Sequence, residues 1–234
     1  NDISQKDFNF YKRMFSEMFN KKYLFNNFQD FLNECKNDLE NLKLKILDIK
    51  VILNKNELYP GKVIVEKLDR IIDDLISSDS NKFGEILNNN EDIIEDFEKF
   101  EVIYNFYKNV QFDIFNKGIK IFEIFKRDKN FIEDEKLLEI YLSVEKILKS
   151  ETPYRNISKL KVYINDFLNL HREMIEVNLK YVIDFIDKEI MGFVSLDLIG
   201  ELKEKLQKCN SLFDIYGVKM EAIFLKDKIL KLKD

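Results

Sequence analysis

His171 is the single histidine of the chain, so acid–base or imidazole-metal chemistry at neutral pH would have to run through it. Its neighbours Leu170, Arg172 and Glu173 supply no Glu-x-x-His or His-x-x-x-His spacing, and the simpler reading is an exposed or partly buried helical histidine. Four carboxylates, Glu91, Asp92, Glu95 and Asp96, crowd a second place. A hard cation needs oxygens converging from a loop or from facing helices. These four occupy turn positions at a helix start, where the positive end of the dipole favours acids, and they read as a solvated acidic face. Cys35 and Cys209 lie far apart without CxxC spacing and read as buried reduced thiols. Serine and cysteine nucleophiles have no histidine partner other than His171. The six glycines are scattered and build no GxxxxGK(S/T), GxGxxG or GxSxG loop. The expectation is therefore a chain with no catalytic residue, no metal, no nucleotide-binding residue and no cofactor.

The 21 Phe and 10 Tyr could act as stacking platforms for bases. At helical spacing, however, aromatic side chains belong to a core. The net charge is −5, and residues 66–101 hold twelve acidic against four basic side chains, which leaves +3 for the remainder. No long basic run marks a phosphate-binding face, so nucleic acid is not favoured as a partner. The one alternative of that kind is a weak nucleic-acid-binding helical domain using Lys203, Lys205, Lys208, Lys219, Lys226, Lys228, Lys231 and Lys233.

The elements that would carry these residues are all helical. With 45% hydrophobic and 35% charged residues but only 2 Pro and 6 Gly, the composition suits amphipathic helices and lacks the turns of an all-β fold. The central prediction is one long aromatic helix over 93–125, with Ile93, Phe97, Phe100, Tyr104, Tyr107, Gln111, Ile114, Gly118, Ile121 and Phe125 at steps of four and three. A second row, Phe112, Phe115, Ile119 and Phe122, widens the stripe, so this spine should touch helices on more than one side. A glycine at 118 costs roughly 1 kcal/mol against alanine and predicts the close approach of a neighbour, or a kink. Further helices are expected from Ser4 onward, over 27–53, 63–76, 83–87, 133–149, 158–189, from Ser195 to 209, and over 212–232. Tyr59-Pro60-Gly61 makes a clear turn, and it divides an N-terminal helical pair, 1–58, from a main bundle, 59–234. Uncharged runs of about seven residues fall far short of the ~20 needed to span a bilayer. The opening Asn1-Asp2-Ile3-Ser4 has no apolar segment of signal-peptide kind, and a cytoplasmic protein is expected. Because position 1 is not Met, the chain reads as a piece of a larger protein.

Two stretches carry a family resemblance. One is Phe106-Tyr107-Lys108-Asn109-Val110-Gln111 with Ile114-Phe115-Asn116; the other, about forty residues on, is Thr152-Pro153-Tyr154-Arg155-Asn156-Ile157-Ser158-Lys159-Leu160. Together they resemble the C-terminal helical region of the P-loop protein of BREX phage-exclusion systems, the BrxC/PglY family, over residues 95–189. That resemblance implies a segment of a large ATPase whose nucleotide motifs lie outside this chain, working in antiviral defence beside a DNA methyltransferase and other components. It also singles out Asn109, Gln111, Tyr154, Arg155 and Asn156 as candidate interaction or hinge positions, to which the glycine argument above adds Gly118. For Tyr154-Arg155-Asn156 the structural alternative is a helix-entry turn after Pro153, anchored by the tyrosine ring.

The fold class expected is all-α, an elongated multi-helix bundle of about eight helices around the long central aromatic helix. The function expected is a non-catalytic helical scaffold or protein-interaction region of a BREX-type phage-defence ATPase, with other protein subunits of the defence complex as partners and no membrane. A stand-alone helical tether or oligomerisation module, with possible self-association, is the alternative from a different class.

Overall fold

The structure, a computed structural model, describes residues 3–233. Asn1 and Asp2, part of the opening stretch considered above, lie outside the described residues. Ten α-helices and no strand are present among them: α1 Gln5–Phe19, α2 Phe28–Leu53, α3 Lys62–Ile76, α4 Ser80–Asn89, α5 Ile93–Tyr107, α6 Val110–Asp128, α7 Glu135–Leu148, α8 Ile157–Phe185, α9 Leu196–Gln207 and α10 Leu212–Lys233. No described helix is long and apolar enough to cross a membrane. The all-α expectation holds, with ten helices rather than about eight.

The long central helix is two helices. Asn109 ends α5 and starts α6: its Oδ1 accepts the Gln111 backbone N–H at 2.8 Å, and its carbonyl accepts the Phe112 N–H at 3.2 Å. An asparagine side chain that satisfies orphan amides of a new helix competes with continuation of the old one. The heptad steps across 107–111 therefore do not form one seam.

The helices divide into two compact units. The first comprises Asn1–Phe112 with Glu151–Arg155, and the second Asp113–Ser150 with Asn156–Asp234. This division is not the one expected at Tyr59-Pro60, because α1 and α2 pack on α3, α4 and α5 within the first unit. The reason is a shared aromatic core. Phe8, Phe15, Phe31 and Phe83 are buried and meet at centroid distances of 5.4 to 5.9 Å, Phe15 being edge-on to Phe31 and stacked on Phe83. Such contacts add roughly 0.5–1.5 kcal/mol each beyond burial. Alongside them, α2 and α3 are clamped by Lys50, 2.8 Å from the largely buried Asp69, with Lys43 paired to the same carboxylate and to Asp73. Burial would raise the Asp69 pKa, but hydrogen bonds from Lys43 and Lys50 outweigh it and hold the carboxyl below its ordinary value.

The second unit is built on α6 to α10. Val182, Ile186, Ile190, Ile199, Leu202, Leu206, Ile215 and Ala222 form a buried cluster among α8, α9 and α10. The expected long helix over 158–189 is present as α8, closing in a π-turn, Ile186–Ile190, where the Met191 N–H reaches back to Ile186 O at 2.9 Å. Gly118 lies buried within an unbroken α6. A Cβ there would stand 3.1 Å from Leu148 Cδ2 of α7 and 3.5 Å from Leu160 Cδ1 of α8, so the glycine marks close packing rather than a kink.

The two rows of the aromatic stripe differ in depth. Phe115 is fully buried, whereas Phe122 is half-buried, edge-on to Tyr141 at 5.7 Å. Phe115→Ala is expected to lower stability by about 3–5 kcal/mol and Phe122→Ala by clearly less, read from chemical denaturation followed by circular dichroism. Equal losses would show that the two rings are buried alike.

Candidate interaction groove

Four side chains of α5, Glu95, Glu98, Lys99 and Val102, share one face at spacings of three and four. With Gln111, Tyr154 and Arg155 they line an open groove of about 520 Å³ in the first unit. Each wall has a local cause. Gln111 stands in the first turn of α6 because Asn109 caps that helix. Tyr154 and Arg155 sit on the short 3-10 turn Pro153–Asn156, held by buried Pro153 and by the Arg155 N–H on Thr152 O at 3.1 Å. The Tyr154 ring leans on Phe106 at 5.9 Å, and Phe106 in turn meets Tyr107 edge-on at 5.0 Å. Tyr107 is pinned as well, its hydroxyl donating to Pro60 O at 2.5 Å, and burial pushes its pKa up.

The groove's lining combines the apolar Val102, 49% exposed, with charged side chains of both signs. Lys99 pairs with Glu95 at 3.3 Å across one helical turn, an exposed contact worth little. Glu98 and Arg155 face solvent. Of the six candidate positions, Gln111, Tyr154 and Arg155 line the groove, and Asn109 acts behind it as a cap. Asn156 starts α8 without a side-chain capping bond, and Gly118 is a core position; both belong to the second unit.

The other candidate chemistry disperses. Glu91, Asp92 and Glu95 are exposed as expected, but Asp96 is buried, with Lys67 Nζ 2.8 Å from its Oδ2. Among the described residues no three His, Cys, Asp or Glu side chains converge as a metal would require. Cys35 is buried and Cys209 half-buried, both free thiols. Burial pushes the Cys35 thiol pKa well above its ordinary value, away from the thiolate that reacts. The C-terminal lysines are largely engaged: Lys203 with Asp187, Lys205 with Glu221, Lys208 with Glu204 and Lys226 with Glu189, while Lys219 lies over the Tyr181 and Phe185 rings.

His171 is the clearest departure from expectation. It is buried rather than exposed or partly so, and its Nε2–H donates to Asp128 Oδ2 at 2.6 Å. The same carboxylate, wholly buried, accepts the Leu212 N–H at 2.9 Å and the Phe213 N–H at 3.1 Å. It thus caps the N-terminus of α10 from the end of α6, with α8 supplying the third donor. The sequence signal was faint: an acid 43 residues from the single histidine.

Residues 8–129 match the family described as the BREX ATP-binding protein BrxC alpha helical domain. This chain belongs to that family. The BrxC match spans α1 to α6, including the Phe106–Asn116 stretch and the α5 wall of the groove, and it reaches far upstream of the resemblance read over 95–189. The Thr152–Leu160 stretch, with Tyr154 and Arg155, lies beyond it. No solved structure shows significant similarity.

Asp128 supplies a pH test. Burial alone would raise its pKa, but the hydrogen bonds from His171, Leu212 and Phe213 outweigh burial and set it below the ordinary value. A depressed folded-state pKa contributes stability that is complete above the unfolded value of ~3.9 and is lost as pH falls through the folded one. Urea midpoints are expected to fall below about pH 4 in the wild type. Asp128→Asn should flatten that slope, and Asp128→Ala should lower stability at pH 7 by on the order of 3–5 kcal/mol. Parallel slopes for wild type and Asp128→Asn would remove the carboxylate from the account.

Proposed function

We propose that the chain is a non-catalytic helical interaction region of a BREX-type phage-defence ATPase, docking other protein subunits of the defence complex in the cytoplasm while nucleotide turnover occurs elsewhere in the parent protein. The BrxC family match carries this reading, and the α5 groove supplies a surface suited to it. Tyrosine and arginine are over-represented where protein partners bind, because each combines contact area with a polar head. Tyr154 and Arg155 stand side by side there, next to the exposed Val102. A lining of mixed sign favours a partner with the matching pattern and rejects like charges, which gives selectivity more than affinity. Gln111, held by the Asn109 cap, adds an amide able to donate and to accept.

The test is binding of this chain to the purified protein components of its defence system, one at a time, by isothermal titration calorimetry. At least one component is expected to bind, and Tyr154→Ala combined with Arg155→Glu should weaken it tenfold or more, about 1.4 kcal/mol, with an unchanged melting temperature. Binding unaffected by the double variant would move the interface off this groove, and no binding by any component would remove the docking role. Phosphate release from ATP by this chain alone, above buffer, would overturn the non-catalytic part.

A further inference from the structure

Asn27 heads α2 at φ −109°, ψ 129°, and its side chain accepts the Gln29 and Asp30 N–H groups. Asn156 heads α8 at a similar φ, −120°, but at ψ 22°, and makes no capping bond. A side chain reaches the amides of the first turn from extended backbone. Asp79 and Ser195, which also cap, hold ψ at 179° and 151°. One backbone torsion therefore separates Asn156 from a bond that its residue type favours.

The strap before it holds that torsion. Glu151–Arg155 belongs to the first unit, with Pro153 buried and the Tyr154 ring on Phe106 at 5.9 Å. Its 3-10 turn, Pro153–Asn156, runs straight into α8. The strap is stiff within itself: the Arg155 N–H bonds Thr152 O at 3.1 Å, and Pro153 restricts both its own φ and the backbone of Thr152. At its other end the Ser150 hydroxyl and N–H both return to Ile147 O, at 2.8 and 3.2 Å, so α7 is closed off without help from the strap. Turning Asn156 to extended backbone would lift Tyr154 off Phe106 and at the same stroke let the Asn156 side chain cap α8. A ring contact and a helix cap are of the same order. The burial of Pro153 tips the balance towards the docked strap and leaves the lifted one within reach as a minor state. We propose that Glu151–Asn156 is a two-state flap on the groove. Closed, as in this structure, it supplies Tyr154 and Arg155 as a wall; open, Asn156 accepts the Ser158 or Lys159 N–H and that wall is gone. Helices α7 and α8 stay packed on each other in both states. A partner that uses Tyr154 and Arg155 binds the closed state alone and draws the flap shut. That consequence rests on the docking role proposed above; the flap itself does not.

Backbone 15N relaxation dispersion on the full chain tests this, since it reads exchange on the microsecond-to-millisecond scale. The Tyr154, Arg155, Ser158 and Lys159 amides are expected to show exchange, and those of Val102 and Ile103 on α5 to be flat. Asn156→Ala removes a cap that only the open state makes, so it should lower the open population about fivefold and flatten the profiles. Asn156→Asp, which keeps a capping oxygen, should retain them. Tyr154→Ala should raise the open population and move the Ser158 and Lys159 resonances towards the minor-state shifts of the wild type. Flat wild-type profiles, profiles unchanged by Asn156→Ala, or Asn156→Asp behaving as Asn156→Ala would each overturn the flap. Defence components that fail to bind would remove the docking role and leave these profiles as they are.

Discussion

One hydrogen bond, from the Gln111 amide to the Asn109 side chain at 2.8 Å, separates α5 from α6. An uninterrupted helix would run the seam on through Gln111 as a core position. Once the chain restarts at Asn109, Gln111 instead takes a place in the groove lined by α5, Tyr154 and Arg155. The aromatic residues before the break, Phe106 and Tyr107, are held by ring contacts and by Pro60 O, so the turn rests on a rigid base. A capping bond of this kind is worth only about 1 kcal/mol, yet it decides which face of each following residue turns outward.

Buried carboxylates do comparable work elsewhere. Asp69, Asp96 and Asp128 are each largely removed from water, and each is matched by a cation or by several donors. An ionised carboxylate left unpaired in such places would be strongly destabilising, so these pairs select the arrangement of helices more than they add net stability. Asp69 sets α2 against α3. Asp128 ties α6, α8 and α10 at one point and supplies the cap that α10 needs at its start. The single histidine, whose type suggests acid–base work, serves there as a donor to that cap.

The BrxC helical family covers α1 to α6 of this chain. Two open surfaces stand out: the groove lined by Tyr154 and Arg155, and an exposed apolar stripe of α10. Both sit on helices whose other side is firmly packed, and such rigid support limits the entropy lost on binding.

Helix content and most helix limits were legible in the residues themselves, because period, caps and breakers act within a few positions: Ser4, Asn27, Asp79 and Ser195 each cap the helix they precede. The apolar stripes likewise announced which sides would be covered, as Leu39, Ile46 and Ile49 show on α2. The break at Asn109 was within reach of the same local chemistry, but aromatic periodicity running through it is the stronger pattern. What no local reading supplies is which helices share a core. Phe15 meets Phe83, and Asp128 meets His171 and Leu212, across 43 to 84 positions of chain. Hydrophobic pattern ranks a side as buried without naming its neighbour, since burial is non-directional. The partner of a buried charge, the depth of Phe122 against Phe115, and the grouping of Gln111 with Tyr154 and Arg155 were therefore decided only by the tertiary structure.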